Sequence, residues 1–246
     1  MEPSFIFSLK QDFRRVAPNH GLDWLQAGWS LFAPNPTPWL VMGLIVAVVF
    51  GVLNLLPLLG QIAVNVLLPV FLGGLLLACR AADNGGRVRV DFLFVGFRQD
   101  TSKLVQVSLY YMAGAFVAFL AALVLGGMVT LLGSLVGVLG MAPGFSLLGS
   151  FSGLIISGLV FMVLFVPVLM AAWFAPALVV FQGMEAWPAL RRSFSACWFN
   201  VLPMTVFVLL TMLLLILAAI PLGLGIPVAI PVLAASYYAA YIDIFE

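Results

Sequence analysis

The sequence predicts an all-α integral membrane protein, with six transmembrane helices paired as three hairpins. Its 246 residues are 64% hydrophobic and only 8% charged, whereas about 25% of the residues of a soluble domain are charged. The charged residues and the histidine also fall into four short zones. Between these zones lie three apolar tracts, 24–79, 104–184 and 193–242, each long enough for two spans of about 20 residues.

Proline and glycine residues divide each apolar tract in two, at positions 57–60, 143–144 and 221–225. Because these residues interrupt helices, we expect six spans. Their approximate ranges are 38–56, 61–80, 104–133, 150–181, 199–220 and 224–243. An even number of spans places all four charged zones, with all ten Lys and Arg residues, on one side of the membrane. The positive-inside rule predicts that this side, including both termini, is cytoplasmic.

The chain also contains a loose threefold repeat, which predicts a pseudo-threefold arrangement of the hairpins. The units are residues 21–83, 91–181 and 184–245, preceded by an N-terminal segment of residues 1–20. Each unit begins with an interfacial amphipathic helix on the cytoplasmic face, continues with one span, and ends with a Pro-broken span marked by Pro-Val and then small residues. Phe32 precedes Pro69 by 37 positions, and the same spacing recurs in the third unit, whereas the middle unit has a spacing of 70. The interfacial segments are expected at 21–32, 91–98 and 184–198.

The Pro-marked spans carry a pattern typical of close helix packing. Proline removes one helical hydrogen bond, so each of these helices should kink. Small residues one turn later let two backbones approach each other in lipid. We therefore expect the three Pro-marked helices to pack against one another near the centre of the protein. The residues with this packing or kink role are Pro69, Gly73, Gly74, Pro167, Ala171, Ala172, Pro231, Ala235 and Ser236.

The composition argues against most catalytic chemistry. The tract 104–184 contains no charged residue or histidine, which disfavours an intramembrane proton relay. One histidine and two cysteines are too few for a zinc or haem site, and the sequence lacks a phosphate-binding glycine loop. The net charge of +1 disfavours nucleic-acid binding. We expect no enzymatic activity, no metal, no cofactor and two reduced, unreactive cysteines.

Two groups of polar residues are candidates for binding. Asn65 lies one turn before Pro69, where a kink would free a carbonyl, so it is the best candidate for lining a polar path. The alternative for each polar side chain in a span is an interhelical hydrogen bond. Basic residues beside the amphipathic segments are candidates for lipid-headgroup binding, although setting the topology would also account for them. These basic residues are Arg14, Arg15, Arg87, Arg89, Arg191 and Arg192.

Several stretches resemble a family of six-span proteobacterial inner-membrane proteins with no established activity. The resemblance lies in residues 21–39, which begin GLDWL, in 56–60 (LPLLG), in 80–83 (RAAD) and in the ending 236–245 (SYYAAYIDIF). It implies a bacterial inner membrane and six spans, and it supplies no catalytic residue. The long middle unit departs from the pattern of the family.

These observations lead us to expect a non-enzymatic inner-membrane protein that binds lipid or a partner membrane protein. The partner would be another inner-membrane protein or a second copy of the chain, and the role structural, accessory or in assembly. The alternative is a transporter or channel for a small uncharged or lipid-like substrate. A transporter needs a polar-lined cavity near the midplane, whereas a scaffold keeps an apolar surface for its partner.

The middle hairpin is longer than a bilayer requires. The excess lies around 134–149, and this stretch is uncharged and apolar. We expect it to form a short re-entrant or interfacial turn at the end of the bundle opposite the charged zones. The alternative is a pair of elongated helices in a locally thicker bilayer.

Overall fold

The computed structural model describes residues 13–138 and 145–246. Within these ranges the chain forms nine α-helices, one 3₁₀ helix and no strand. The α-helices are α1 (His20–Phe32), α2 (Pro36–Asn54), α3 (Leu59–Asp83), α4 (Thr101–Val138), α5 (Phe145–Trp173), α6 (Ala175–Gln182), α7 (Ala186–Phe199), α8 (Val201–Ala219) and α9 (Ile226–Phe245). The 3₁₀ helix comprises Val90–Phe97 and lies between α3 and α4.

Six helical segments of the described chain are long and apolar enough to cross a membrane. They are Pro36–Asn54, Leu59–Asp83, Thr101–Val136, Phe151–Gln182, Val201–Ala219 and Ile226–Phe245. The predicted all-α membrane fold is therefore confirmed, and the expected spans agree with these segments to within a few residues. The expected interfacial segments correspond to α1, the 3₁₀ helix and α7.

The fourth span is broken at Phe174, between α5 and α6. The physical cause is Pro176, which lies in the first turn of α6, where a missing N–H does no harm. Pro167, where we expected this span to deviate, lies inside α5, just as Pro69 lies inside α3. Helix α5 therefore continues through Pro167 and ends close to Pro176.

The Ser193 side chain of α7 holds this break together. Its hydroxyl oxygen accepts a hydrogen bond from the Phe174 N–H at 2.8 Å and donates one to the Met170 carbonyl at 2.7 Å. These two backbone groups would bond each other directly in an unbroken helix. Ser193 is therefore inserted into the helical hydrogen-bond ladder, which is a known cause of sharp helix bends.

Contacts between distant parts of the chain bring the four charged zones to one end of the bundle, here called the charged end. His20 lies 2.7 Å from Asp243, Arg80 pairs with the C-terminal residue Glu246, and Lys103 lies 3.3 Å from the Glu185 carboxylate. This arrangement agrees with an even number of spans. That the charged end faces the cytoplasm stays a prediction.

The Pro-marked helices differ in how deeply they are buried in the protein. Helices α3 and α9 are the most deeply buried spans and contact each other. Helix α5 packs instead along α4, where Gly153 lies so close that a Cβ on it would be 2.7 Å from the Gly126 carbonyl oxygen. Pro167 is half-buried, and this part of the chain reaches α3 through α6. The close pairing with α4 explains why α5 lies further from the centre than we expected.

Each interfacial segment packs on the Pro-marked helix of the unit before it, and the segment of the first unit packs on the Pro-marked helix of the third. Helix α1 lies on α9, the 3₁₀ helix on α3, and α7 on α5. Small residues make two of these contacts: a Cβ on Gly74 would lie 2.5 Å from the Leu93 carbonyl oxygen, and one on Gly28 would lie 2.6 Å from the Ser236 nitrogen. This common pattern supports the threefold repeat, which stays a prediction together with its unit boundaries.

The middle hairpin is formed by two long helices. Helix α4 has 38 residues and is therefore about 57 Å long, beyond the ~30 Å of a hydrocarbon core. Within 134–149, residues 134–138 continue α4 and residues 145–149 begin α5. Residues 139–144, where the re-entrant or interfacial turn would lie, are outside the described residues.

Candidate functional site

A groove of about 730 Å³ lies between α4, α5 and α7 near the charged end. We call it the interfacial groove. Small residues of two long helices line it, including Ala113 and Gly114 of α4 and Ala171 of α5. Most of the remaining lining is aliphatic or aromatic. The groove is wide enough for part of an amphipathic molecule, because small-molecule sites commonly measure about 300–1,000 Å³.

Two exposed aromatic rings mark the rim of the interfacial groove. The rings of Tyr110 and Trp187 lie 5.7 Å apart, and both side chains are exposed. Trp and Tyr favour the boundary between the headgroups and the hydrocarbon of a bilayer. Their position therefore indicates that the rim lies at headgroup depth.

Arg191 supplies the cationic group of the interfacial groove. It lines the groove and is exposed. Within the described part of the chain its side chain forms no ion pair, unlike Arg80 or Arg89. A single cation beside an apolar groove at the membrane surface matches the chemistry of an anionic phospholipid.

The neighbouring Arg192 has a different environment. Its guanidinium donates a hydrogen bond to the Gln182 side-chain oxygen at 2.6 Å and lies 5.5 Å from the Phe245 ring. Gln182 in turn donates to the Tyr241 hydroxyl at 3.0 Å. Arg192 therefore joins α7 to α6 and α9. The structure separates two adjacent residues that the sequence had grouped as equal candidates.

The other basic candidates lie outside the interfacial groove. Arg14, Arg15 and Arg87 are exposed, and the Arg15 guanidinium lies 4.3 Å from the Phe199 ring. Arg89 forms an exposed ion pair with Asp91 at 2.8 Å. The structure therefore does not bring the six predicted headgroup residues together into one site.

A network of hydrogen bonds around the C-terminal end of α9 was missed by the sequence analysis. The Asp243 carboxylate accepts hydrogen bonds from the Trp24 indole at 2.9 Å and from His20 at 2.7 Å. Tyr238 donates to the Asp83 carboxylate at 3.0 Å. The ending SYYAAYIDIF is thus tied to α1 and α3. The sequence signal that could have revealed this network is the combination of aromatic and acidic residues in this ending.

Most polar side chains of the spans satisfy their own helix. Asn65, Thr130 and Thr205 each donate to the carbonyl four residues earlier, at 2.8, 3.0 and 2.8 Å. Within the described residues these three side chains form intrahelical bonds and not the interhelical bond that was the alternative to lining a polar path. Asn54 bonds its own helix and also accepts from Gln61 of α3 at 2.6 Å.

Asn65 lines a cavity of about 310 Å³ beside Pro69, here called the inner cavity. Residues from the other Pro-marked helices also line it, including Ala172 of α5 and Tyr237 of α9. The three helices therefore approach one another here, although α5 does so only with its last turns. In the described ranges, no group of three or more His, Cys, Asp or Glu residues is arranged to hold a metal ion.

Comparison with known proteins gives one curated relative. Over 228 residues the chain is 29% identical to a protein of Burkholderia thailandensis described as a probable inner membrane protein. The aligned region covers 91% of this chain and 82% of the relative. No protein-family model and no solved structure matches the chain. The similarity agrees with the family resemblance seen in the sequence. Together with the six apolar helical segments, it describes a multi-pass helical inner-membrane protein.

Proposed function

We propose that this inner-membrane protein binds an anionic phospholipid in the interfacial groove, with the headgroup phosphate on Arg191. The observation that carries the proposal is the combination of an apolar groove, an aromatic rim and one cation that forms no ion pair with any described residue. The lipid would help α7 to stay on the long hairpin of α4 and α5. This is a structural or accessory role and needs no catalytic residue.

The selectivity for such a lipid would come mainly from its headgroup. Acyl chains gain little on moving from the bilayer to a protein groove, because both environments are apolar. A basic residue near an anionic headgroup contributes about 1 kcal/mol. That free energy corresponds to about a fivefold preference over a zwitterionic lipid. The proposal therefore predicts a modest enrichment that depends on one side chain.

Lipid analysis of the purified protein tests the proposal. The protein would be extracted with the same detergent as wild type, as Arg191→Ala and as Arg98→Ala, and the bound phospholipids quantified by mass spectrometry. Arg98 is a matched control because it is exposed and lies outside the groove. We expect Arg191→Ala to lower the ratio of phosphatidylglycerol to phosphatidylethanolamine about fivefold.

The control variant decides how this result is interpreted. Arg98→Ala should retain the lipid ratio of the wild type. Equal ratios in all three proteins would contradict the proposal, and so would an equal loss in both variants, which would indicate an effect of net charge. A groove-filling variant, Ala113→Phe, should reduce total bound lipid while Arg191 remains in place.

A second candidate function is transport of a small uncharged or lipid-like molecule. The inner cavity beside Asn65 is the observation that favours it, because transporters bind substrate near the midplane at the meeting point of their repeats. Uptake of a neutral solute such as glycerol into vesicles containing the protein would test it. Transport that exceeds empty vesicles and falls in Ala172→Leu would support this candidate.

A further inference from the structure

A third cavity of about 530 Å³ lies among α2, α3, α8 and α9, with Trp173 of α5 at its wall. We call it the central cavity. The ring of Trp173 lies 6.5 Å from the ring of Phe207 of α8, edge to face. The Tyr237 hydroxyl donates a 2.5 Å hydrogen bond to the Trp173 carbonyl, so the last turn of α5 is fixed in place. The volume is within the usual range of ligand sites.

Two residues that line the central cavity each have a buried polar atom that lacks a partner in the described part of the chain. The Trp173 Nε1 and the Thr211 Oγ1 are buried and have no hydrogen-bond partner among the residues that the structure describes. Thr211 lies one turn after Phe207 on α8, and the Phe207 ring lies 6.5 Å from the Trp173 ring, so Trp173 and Thr211 belong to the same region of the wall. Buried polar groups in native proteins nearly always have a partner, and an unpaired group is unfavourable.

Thr211 is unusual among the polar residues of the spans. Thr205, on the same helix, donates to the Val201 carbonyl at 2.8 Å, and Thr130 does the same with Gly126 at 3.0 Å. This bond within the helix is the ordinary way for threonine to satisfy its hydroxyl in an apolar environment. Among the described residues, the Thr211 hydroxyl does not bond its own helix in this way, so its hydrogen-bonding capacity is unused.

The chemistry of the wall defines the ligand. An indole N–H only donates, so the ligand must present an acceptor. Every described residue that lines the central cavity is uncharged, and a charged group would be costly there. The rest of the lining is almost wholly apolar. We propose that the central cavity binds a neutral lipid whose carbonyl oxygen accepts hydrogen bonds from Trp173 and Thr211.

A quinone and the ester of a diacylglycerol both carry such a carbonyl on an apolar body. Binding of tritiated decylubiquinone and of tritiated dioleoylglycerol to the full-length protein in nanodiscs would test the proposal. The variants are Trp173→Phe, which keeps an aromatic ring of smaller size, and Thr211→Val, which keeps the shape of the side chain; each removes one hydrogen-bond donor. We expect each variant to weaken binding about three- to tenfold.

Two matched controls separate the central cavity from general effects. Trp39 also has a buried Nε1 without a partner in the described ranges, but it does not line the central cavity. Trp39→Phe and Thr205→Val should therefore bind as the wild type does. Binding of only one probe would support the proposal and identify the class of carbonyl.

Three outcomes would overturn the proposal. The first is that neither probe binds above empty nanodiscs, and the second is that Trp173→Phe and Thr211→Val both bind like the wild type. The third is an equal loss in the control variants. The binding of anionic lipid by the interfacial groove is independent of these measurements, because it depends on Arg191 and on a different part of the bundle.

Discussion

Replacing Ser193 by alanine should destabilise the protein far more than an ordinary change of serine in a helix. The hydroxyl of Ser193 satisfies both the buried Phe174 N–H and the Met170 carbonyl. Alanine leaves both groups without this partner, at about 1–3 kcal/mol for a fully buried group and less for a partly buried one. We expect a loss of about 2–3 kcal/mol, which lowers the melting temperature of a protein of this size by about 4–12 °C.

Ser195 provides the matched control for this prediction on the same helix. Its hydroxyl donates to the Arg191 carbonyl at 3.1 Å in an exposed position, so Ser195→Ala should change stability by less than about 0.5 kcal/mol. Both variants would be heated in one detergent and the folded fraction measured by size-exclusion chromatography. Equal melting temperatures would refute the assignment of Ser193 as the group that holds the break in the fourth span.

Adjacent glycines of α3 should differ in their tolerance of alanine. A Cβ on Gly74 would lie 2.5 Å from the Leu93 carbonyl oxygen, whereas one on Gly73 would meet side-chain atoms at 3.1 and 3.3 Å. Melting temperatures should therefore show a loss of about 1–3 kcal/mol for Gly74→Ala and little change for Gly73→Ala. Burial raises the pKa of the Cys197 thiol to about 12. Its reactive thiolate is therefore scarce at lower pH, and iodoacetamide at about pH 8 should alkylate it only after unfolding. Labelling of the native protein, seen by peptide mass spectrometry, would contradict this. Alkaline phosphatase fused after Glu246 should be inactive in bacteria, and high activity would overturn the predicted orientation.

The number and position of the spans could be predicted from the sequence because they depend on composition alone. Charge is excluded from the hydrocarbon core whatever the neighbours of a helix are. The boundaries of α2, α3, α8 and α9 accordingly agree with the predicted ranges to within a few residues. The interfacial segments were equally accessible, since a pattern of apolar side chains at helical spacing is a local property of the chain.

The contacts between helices were not accessible in the same way. The Pro-then-small pattern correctly indicates close packing, but it does not show which helix the small residues pack against. Gly74 packs on the backbone of the 3₁₀ helix, and Ser236 packs on α1. Arg191 and Arg192 are equivalent in the sequence, yet one lines the interfacial groove and the other binds Gln182. Such differences depend on the rotation of α7 about its axis, which composition does not determine.

The position of the central cavity is related to which spans pack directly on one another. The first span of one unit packs directly on the Pro-marked helix of the preceding unit in two cases, α2 on α9 and α4 on α3. The third case would place α8 on α5, but α5 reaches α8 here through Trp173, whose ring lies 6.5 Å from the Phe207 ring at the wall of the central cavity. Helix α5 packs closely on α4, where Gly126 and Gly153 meet. In the predicted threefold repeat an interface between α8 and α5 would complete the ring, and the pairing of α5 with α4 accounts for its absence among the main helix contacts of the described residues.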